Sequence, residues 1–113
     1  MVRNLSEEAS ILGQYMAEIR DVNIQQDPIR FRTNLERIAE ILGYEVSKKM
    51  NYGEIEVETP LGKSTEFKLT DDPVLLTILR AGLAMHNGLL RAFDRCDSAF
   101  VSAYREHTPP EEF

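Results

Sequence analysis

Cysteine is almost absent from this 113-residue chain, and basic side chains are outnumbered by acidic ones. Cys96 stands alone, which excludes an intrachain disulfide and a multi-cysteine zinc site. A single free thiol fits a reducing cytosol. Thirteen Lys and Arg face 19 Asp and Glu, for a formal net charge of -6. A nonspecific nucleic-acid binder needs a basic stripe to replace phosphate counterions, so that class is set aside. A local basic pocket for a phosphorylated ligand is still open. Long apolar runs are also missing. The stretch Ala81 to Leu90 carries no formal charge, but His86, Asn87 and two glycines interrupt it, and it is about half of a bilayer span. Residues Met1 to Glu8 lack the apolar core of a signal peptide. The expectation is a cytoplasmic protein without membrane or nucleic-acid partners. Internal repeats, low-complexity segments, Walker A and dinucleotide fingerprints, and zinc, haem or nucleophilic-triad signatures are all lacking.

What is present suits one folded domain. Hydrophobic residues make up 42% and charged residues 28%, close to the average for soluble globular proteins. Residues 1–50 read as a helical pair. Ser6, Glu7 and Glu8 form a helix start, and Ala9, Leu12, Met16 and Ile19 follow on one face. The second start is Asp27-Pro28, a cap followed by a first-turn proline. Phe31, Leu35, Ile38, Leu42 and Val46 mark its apolar stripe, with Arg30, Arg37 and Glu40 off it.

The period changes after Gly53. Ile55, Val57 and Thr59 alternate with Glu54, Glu56 and Glu58, and Thr65, Phe67 and Leu69 alternate beyond the turn Pro60-Leu61-Gly62-Lys63. Residues 54–69 therefore read as a β-hairpin arm with a wet face, projecting from the fold. Asp71-Asp72-Pro73 is turn chemistry. The unbroken run Val74 to Leu79 fits a strand buried on both faces. A helix over Leu83 to Phe93 and a strand over Ala99 to Tyr104 complete a βαβ unit across 74–105. The class is α/β. Two parallel strands and one crossover helix cannot cover both sheet faces, so the parallel sheet reads as incomplete.

The stretch Thr77-Ile78-Leu79-Arg80-Ala81-Gly82-Leu83 carries the chemistry. It delivers an arginine at the carboxyl end of a strand, where open α/β sheets bind ligands. Two small residues then let the backbone turn and present N–H groups to an anion at a helix start. The plainer reading is a solvated arginine and a glycine that eases packing, and the pattern by itself leaves both open. The other candidates have simpler readings. His86 suits packing or capping, His107 lies in a polar tail, and Cys96 reads as an inert thiol. Asp71 and Asp72 are turn residues, and Glu54, Glu56 and Glu58 form a solvated strand face.

Ile78-Leu79-Arg80-Ala81-Gly82-Leu83, with Met85 and Gly88-Leu89-Leu90 behind it, resembles the pyrophosphate loop of uracil phosphoribosyltransferases, which typically reads PILRAGLGM. Ile19-Arg20-Asp21, Phe31-Arg32 and Gly43-Tyr44-Glu45 are similar to that family's N-terminal helical pair. Glu56 to Gly62 resembles its hairpin, and Val101-Ser102-Ala103-Tyr104-Arg105 a strand ending in a second arginine of the substrate site. The resemblance covers nearly the whole chain. Thr77 replaces the usual proline and Ala84 a usual glycine.

The resemblance implies that Arg80, Ala81 and Gly82 contact phosphoribosyl diphosphate and that Arg105 adds a second cation. It assigns no catalytic side chain and no protein metal site. It implies formation of UMP and pyrophosphate from uracil and phosphoribosyl diphosphate, with Mg2+ carried on the diphosphate and possible GTP activation. The incomplete sheet and amphipathic helices, for their part, call for a partner, a homo-oligomer or a complementary chain. Two family segments do not occur here: an acidic, glycine-rich loop of the type DPMLATGGS, and a uracil-recognising region. The expectation is an N-terminal part of one phosphoribosyltransferase domain, inactive in isolation. The alternative is a non-catalytic oligomerisation or regulatory module derived from that enzyme.

Overall fold

The computed structural model describes residues 2–105, and the expectations for His107 and the tail after it lie outside them. The architecture is α/β. Helices α1 (Ile11–Arg20) and α2 (Pro28–Ser47) come first, each preceded by a short 3-10 turn. Strands β1 (Tyr52–Thr59) and β2 (Gly62–Leu69), then β3 (Val74–Leu79), helix α3 (Leu83–Ala92) and β4 (Asp97–Ser102) follow. Among the described residues no helix is long and apolar enough to cross a membrane.

The first helix begins later than its acidic start signal suggests. Asn4 accepts the Ser6 N–H at 3.0 Å and caps a single 3-10 turn over Leu5–Glu7. Glu8 then goes extended, and α1 starts at Ile11. A cap upstream of Ser6 diverts that signal into the short turn. The second helix begins as its sequence dictates. Asp27 Oδ1 accepts the N–H groups of Ile29 at 3.1 Å and Arg30 at 3.2 Å, with Pro28 in the first turn.

The long helix buries Asn34, Ile38, Ala39 and Gly43, while Val46 at the end of the expected stripe is exposed. The partner helix explains the shift. Helix α3 lies so close that a Cβ on Gly88 would fall on the Glu36 carbonyl oxygen. A Cβ on Gly43 would come 2.9 Å from Ala92 Cβ. Small residues set this contact, so the leucines of α3 stay partly exposed and its buried positions are His86 and Gly88.

The two sheets are separate pairs. Strands β3 and β4 run parallel, from Val74 opposite Asp97 to Leu79 opposite Ser102. The expectation that β3 is buried on both faces is corrected. Leu75 and Thr77 face α3 and are buried, whereas Val74, Leu76 and Ile78 are 60%, 65% and 56% exposed. No element among the described residues covers that side of the strand. The second strand also ends earlier than expected, at Ser102.

Strands β1 and β2 pair antiparallel from Tyr52 opposite Leu69 to Thr59 opposite Gly62. Gly62 holds φ +129 at the tip, a conformation that favours glycine. Among the described residues the two strands pack on each other, and at the base of the arm the Tyr52 hydroxyl donates to the Ser47 carbonyl at the end of α2 at 2.7 Å. The single wet face is corrected by the register. Glu54 pairs with Phe67 and Ile55 with Glu66, so each face of the arm mixes one strand's apolar residues with the other's charges. The base is fastened by Asp71, whose carboxylate accepts the Asn51 N–H at 2.7 Å and Asn51 Nδ2 at 3.2 Å.

Candidate functional site

Strand β3 ends at Leu79 and the chain turns at once into α3. The Leu79–Arg80 peptide is cis. The Gly82 N–H donates to the Ile78 carbonyl at 2.9 Å, and the Leu83 N–H to the Arg80 carbonyl at 3.1 Å. These bonds fold Arg80, Ala81 and Gly82 into a tight loop on the strand end. Glycine is required at 82 by close approach, since its φ is an ordinary -78. A Cβ there would stand 2.8 Å from the Ile78 oxygen and 3.1 Å from Thr77 Cγ2.

Gly82 is also the N-cap of α3, and no side chain caps that end. The first-turn N–H groups of a helix lack intrahelical partners and carry partial positive charge. Arg80 stands beside them, exposed, and among the described residues it forms no salt bridge. The local field therefore favours an anion.

A cleft of about 420 Å³ opens between this loop and α2. Arg80, Ala81, Leu83, Ala84 and Asn87 line one side, and Phe31, Arg32, Leu35 and Glu36 the other. Arg32 is a cation of this cleft that the sequence reasoning did not single out. Its helical neighbours Phe31, Leu35 and Glu36 hinted at a shared face, but only the packing of α2 on α3 shows what that face meets. Glu36 is engaged by Arg91, which also approaches Glu40 at 3.9 Å, so part of the acidic charge on α2 is already paired.

Arg105 is exposed and lies three residues beyond the end of β4. Leu79 pairs with Ser102, and the Ala103 N–H reaches the Leu79 carbonyl at 3.4 Å, so Arg80 and Arg105 both leave the carboxyl edge of one parallel pair. Arg105 does not line the cleft that holds Arg80 and Arg32. His86 is buried in packing, with Nδ1 2.8 Å from Thr77 Oγ1. Cys96 is half-buried in a second cleft, of about 370 Å³, with Asp71, Asp72, Asp94 and Arg95. Among the described residues no three His, Cys, Asp or Glu side chains gather to hold a metal ion.

Comparisons with known proteins show what this chain is similar to. The family model for uracil phosphoribosyltransferase matches residues 6–113. A uracil phosphoribosyltransferase of Porphyromonas gingivalis (strain ATCC 33277) is 50% identical over 106 residues, covering 94% of this chain and 49% of its own length. One from Thermococcus gammatolerans is 36% identical over 108 residues, covering 94% of this chain and 47% of its own. Among solved structures, the AQ2163 protein from Aquifex aeolicus superposes with a TM-score of 0.72 at 26% identity, over 88% of this chain and 47% of that one. The chain spans about half the length of these curated relatives. With the helical pair, the hairpin arm and the Arg80 loop in place, it belongs to the uracil phosphoribosyltransferase family.

Proposed function

We propose that this chain forms the pyrophosphate-binding side of a uracil phosphoribosyltransferase site. The observation that carries the reading is the Arg80-Ala81-Gly82 loop, seated between a strand's carboxyl end and an uncapped helix start, with Arg32 across the cleft. Its substrates are uracil and phosphoribosyl diphosphate. A uracil nitrogen bonds to the anomeric carbon as the bond from that carbon to pyrophosphate oxygen breaks, and the uracil proton is lost. The electron pair leaves with pyrophosphate. Arg80 and the Ala81 N–H stabilise that departing charge, while the Gly82 N–H holds the loop closed on the Ile78 carbonyl, and Arg105 approaches from the neighbouring strand end. Mg2+ enters on the diphosphate as part of the substrate, because the loop offers donors to an anion rather than oxygen ligands to a metal.

The residues described for this chain supply neither the ribose-phosphate cradle nor the uracil pocket of the family resemblance. The 113-residue polypeptide is therefore expected to form no UMP by itself. Incubation with labelled uracil, phosphoribosyl diphosphate and magnesium tests this, and steady UMP production by the purified chain would overturn the inactivity.

A second reading has its own observation. The exposed row Val74, Leu76 and Ile78 gives the parallel pair an uncovered apolar face, which suits association with a second copy. Light scattering on the purified chain separates the two. A stable, folded homo-oligomer with no pyrophosphate affinity supports a non-catalytic oligomerisation module, and a monomer that binds pyrophosphate removes it.

A further inference from the structure

Beneath the loop lies a buried polar contact that the binding chemistry does not use. Thr77 and His86 are 7% and 5% exposed, and Thr77 Oγ1 stands 2.8 Å from His86 Nδ1. Burying a hydroxyl and an imidazole costs free energy unless they satisfy each other. Apolar residues would fill this position in a core at lower cost, so the location of the pair is informative. Thr77 is on β3 two residues before its end, and His86 is in the first turns of α3. Between them run Ile78 to Met85, the whole of the loop.

Both members flank Gly82. Thr77 Cγ2 packs so close that a Cβ on Gly82 would come within 3.1 Å of it. The His86 backbone N–H donates to the Gly82 carbonyl at 2.9 Å. The His86 ring also packs on Phe100 at 4.9 Å between centroids, and Phe100 is the β4 residue paired with Thr77. One buried contact thus ties the β3 end, the α3 start and β4 to the residue that closes the anion loop.

We propose that the Thr77–His86 hydrogen bond is a positioning lock that preorganises the Arg80-Ala81-Gly82 loop for its anion. The lock rests on the pyrophosphate-site reading for its consequence but not for its existence. Either neutral imidazole tautomer serves, since the hydroxyl can donate to Nδ1 or accept from it. A valine at 77 keeps the shape and can do neither. Preorganised donors bind more tightly because less ordering is left to the ligand.

Two measurements on the 113-residue chain test this, using Thr77→Val, its conservative control Thr77→Ser, and His86→Leu. The first is amide hydrogen exchange, which needs no ligand. Exchange at Gly82 and His86 is expected to quicken about tenfold in Thr77→Val and His86→Leu but not in Thr77→Ser, with α2 amides around Ile38 unchanged. Equal exchange in Thr77→Val and wild type overturns the lock, as does loss of protection throughout the chain in Thr77→Ser. The second is calorimetric titration with magnesium pyrophosphate. Affinity is expected to fall about three- to tenfold in Thr77→Val and to recover in Thr77→Ser. Unchanged affinity in a Thr77→Val chain whose loop exchanges faster overturns the preorganising role. If wild type binds no pyrophosphate, the site reading fails, and the exchange result still decides whether the lock exists.

Discussion

Gly88 on α3 lies against the backbone of Glu36 on α2, so close that a methyl group at 88 would overlap the Glu36 carbonyl oxygen. This approach sets how the helix that follows the loop lies on the helical pair. It therefore sets the cleft, because Arg32 and Arg80 come from the two sides of that packing.

Gly88→Ala is expected to destabilise the fold by about 2–3 kcal/mol, since backbone cannot yield as a flexible side-chain tip does. Urea unfolding followed by circular dichroism checks this. A loss smaller than about 0.5 kcal/mol would show that the helices separate at little cost.

Gly13, on α1, provides the opposite case. Nothing lies within 4 Å of a Cβ built there, and the residue sits inside α1. Gly13→Ala is expected to stabilise by about 0.5–1 kcal/mol through helix propensity alone. Thermal melting would show a raised midpoint, and a lowered midpoint would mean that the position has a neighbour outside the described residues.

The junction of α1 and α2 carries the acid sensitivity. Glu18 accepts from Arg30 at 2.6 Å and from the fully buried Asn34 at 3.2 Å. The Arg30 hydrogen bond, then that from Asn34, hold the Glu18 carboxyl below its ordinary 4.5. A depressed carboxylate contributes stability that is complete above its unfolded value and is lost as pH falls through the folded one. Glu18→Gln is therefore expected to lower stability at neutral pH and to flatten the decline below 4.5. Melting temperatures across that range check it, and parallel curves for the two proteins would remove Glu18 as a source.

Asp27 caps α2 through two backbone N–H groups. Asp27→Ala is expected to cost about 1 kcal/mol. Chemical denaturation measures it, with Asp27→Asn expected to recover most of the loss because its amide oxygen still accepts.

Much of this fold was legible in residue order because local chemistry decides it. The run Val74 to Leu79 became β3 over that same span, and Asp27-Pro28 opened α2 where capping places it. The reading failed where tertiary contact chooses among locally equal options. The leucines of α3 are apolar, but the buried residues are His86 and Gly88, because small size and a polar partner decide that interface. The apolar run of β3 showed which residues can be buried on two faces. It could not show that only α3 arrives to cover one of them. Arg80 was visible at a strand end, whereas Arg32, 48 positions earlier, joins it only through helix packing.

The anion site at Arg80 is tested most directly by titrating the purified chain with magnesium pyrophosphate, beside Arg80→Ala. Saturable one-site binding is expected, weakened at least about tenfold in the variant, as befits a charge-assisted hydrogen bond. Absence of binding to the wild-type chain, or equal affinity in Arg80→Ala, would contradict it.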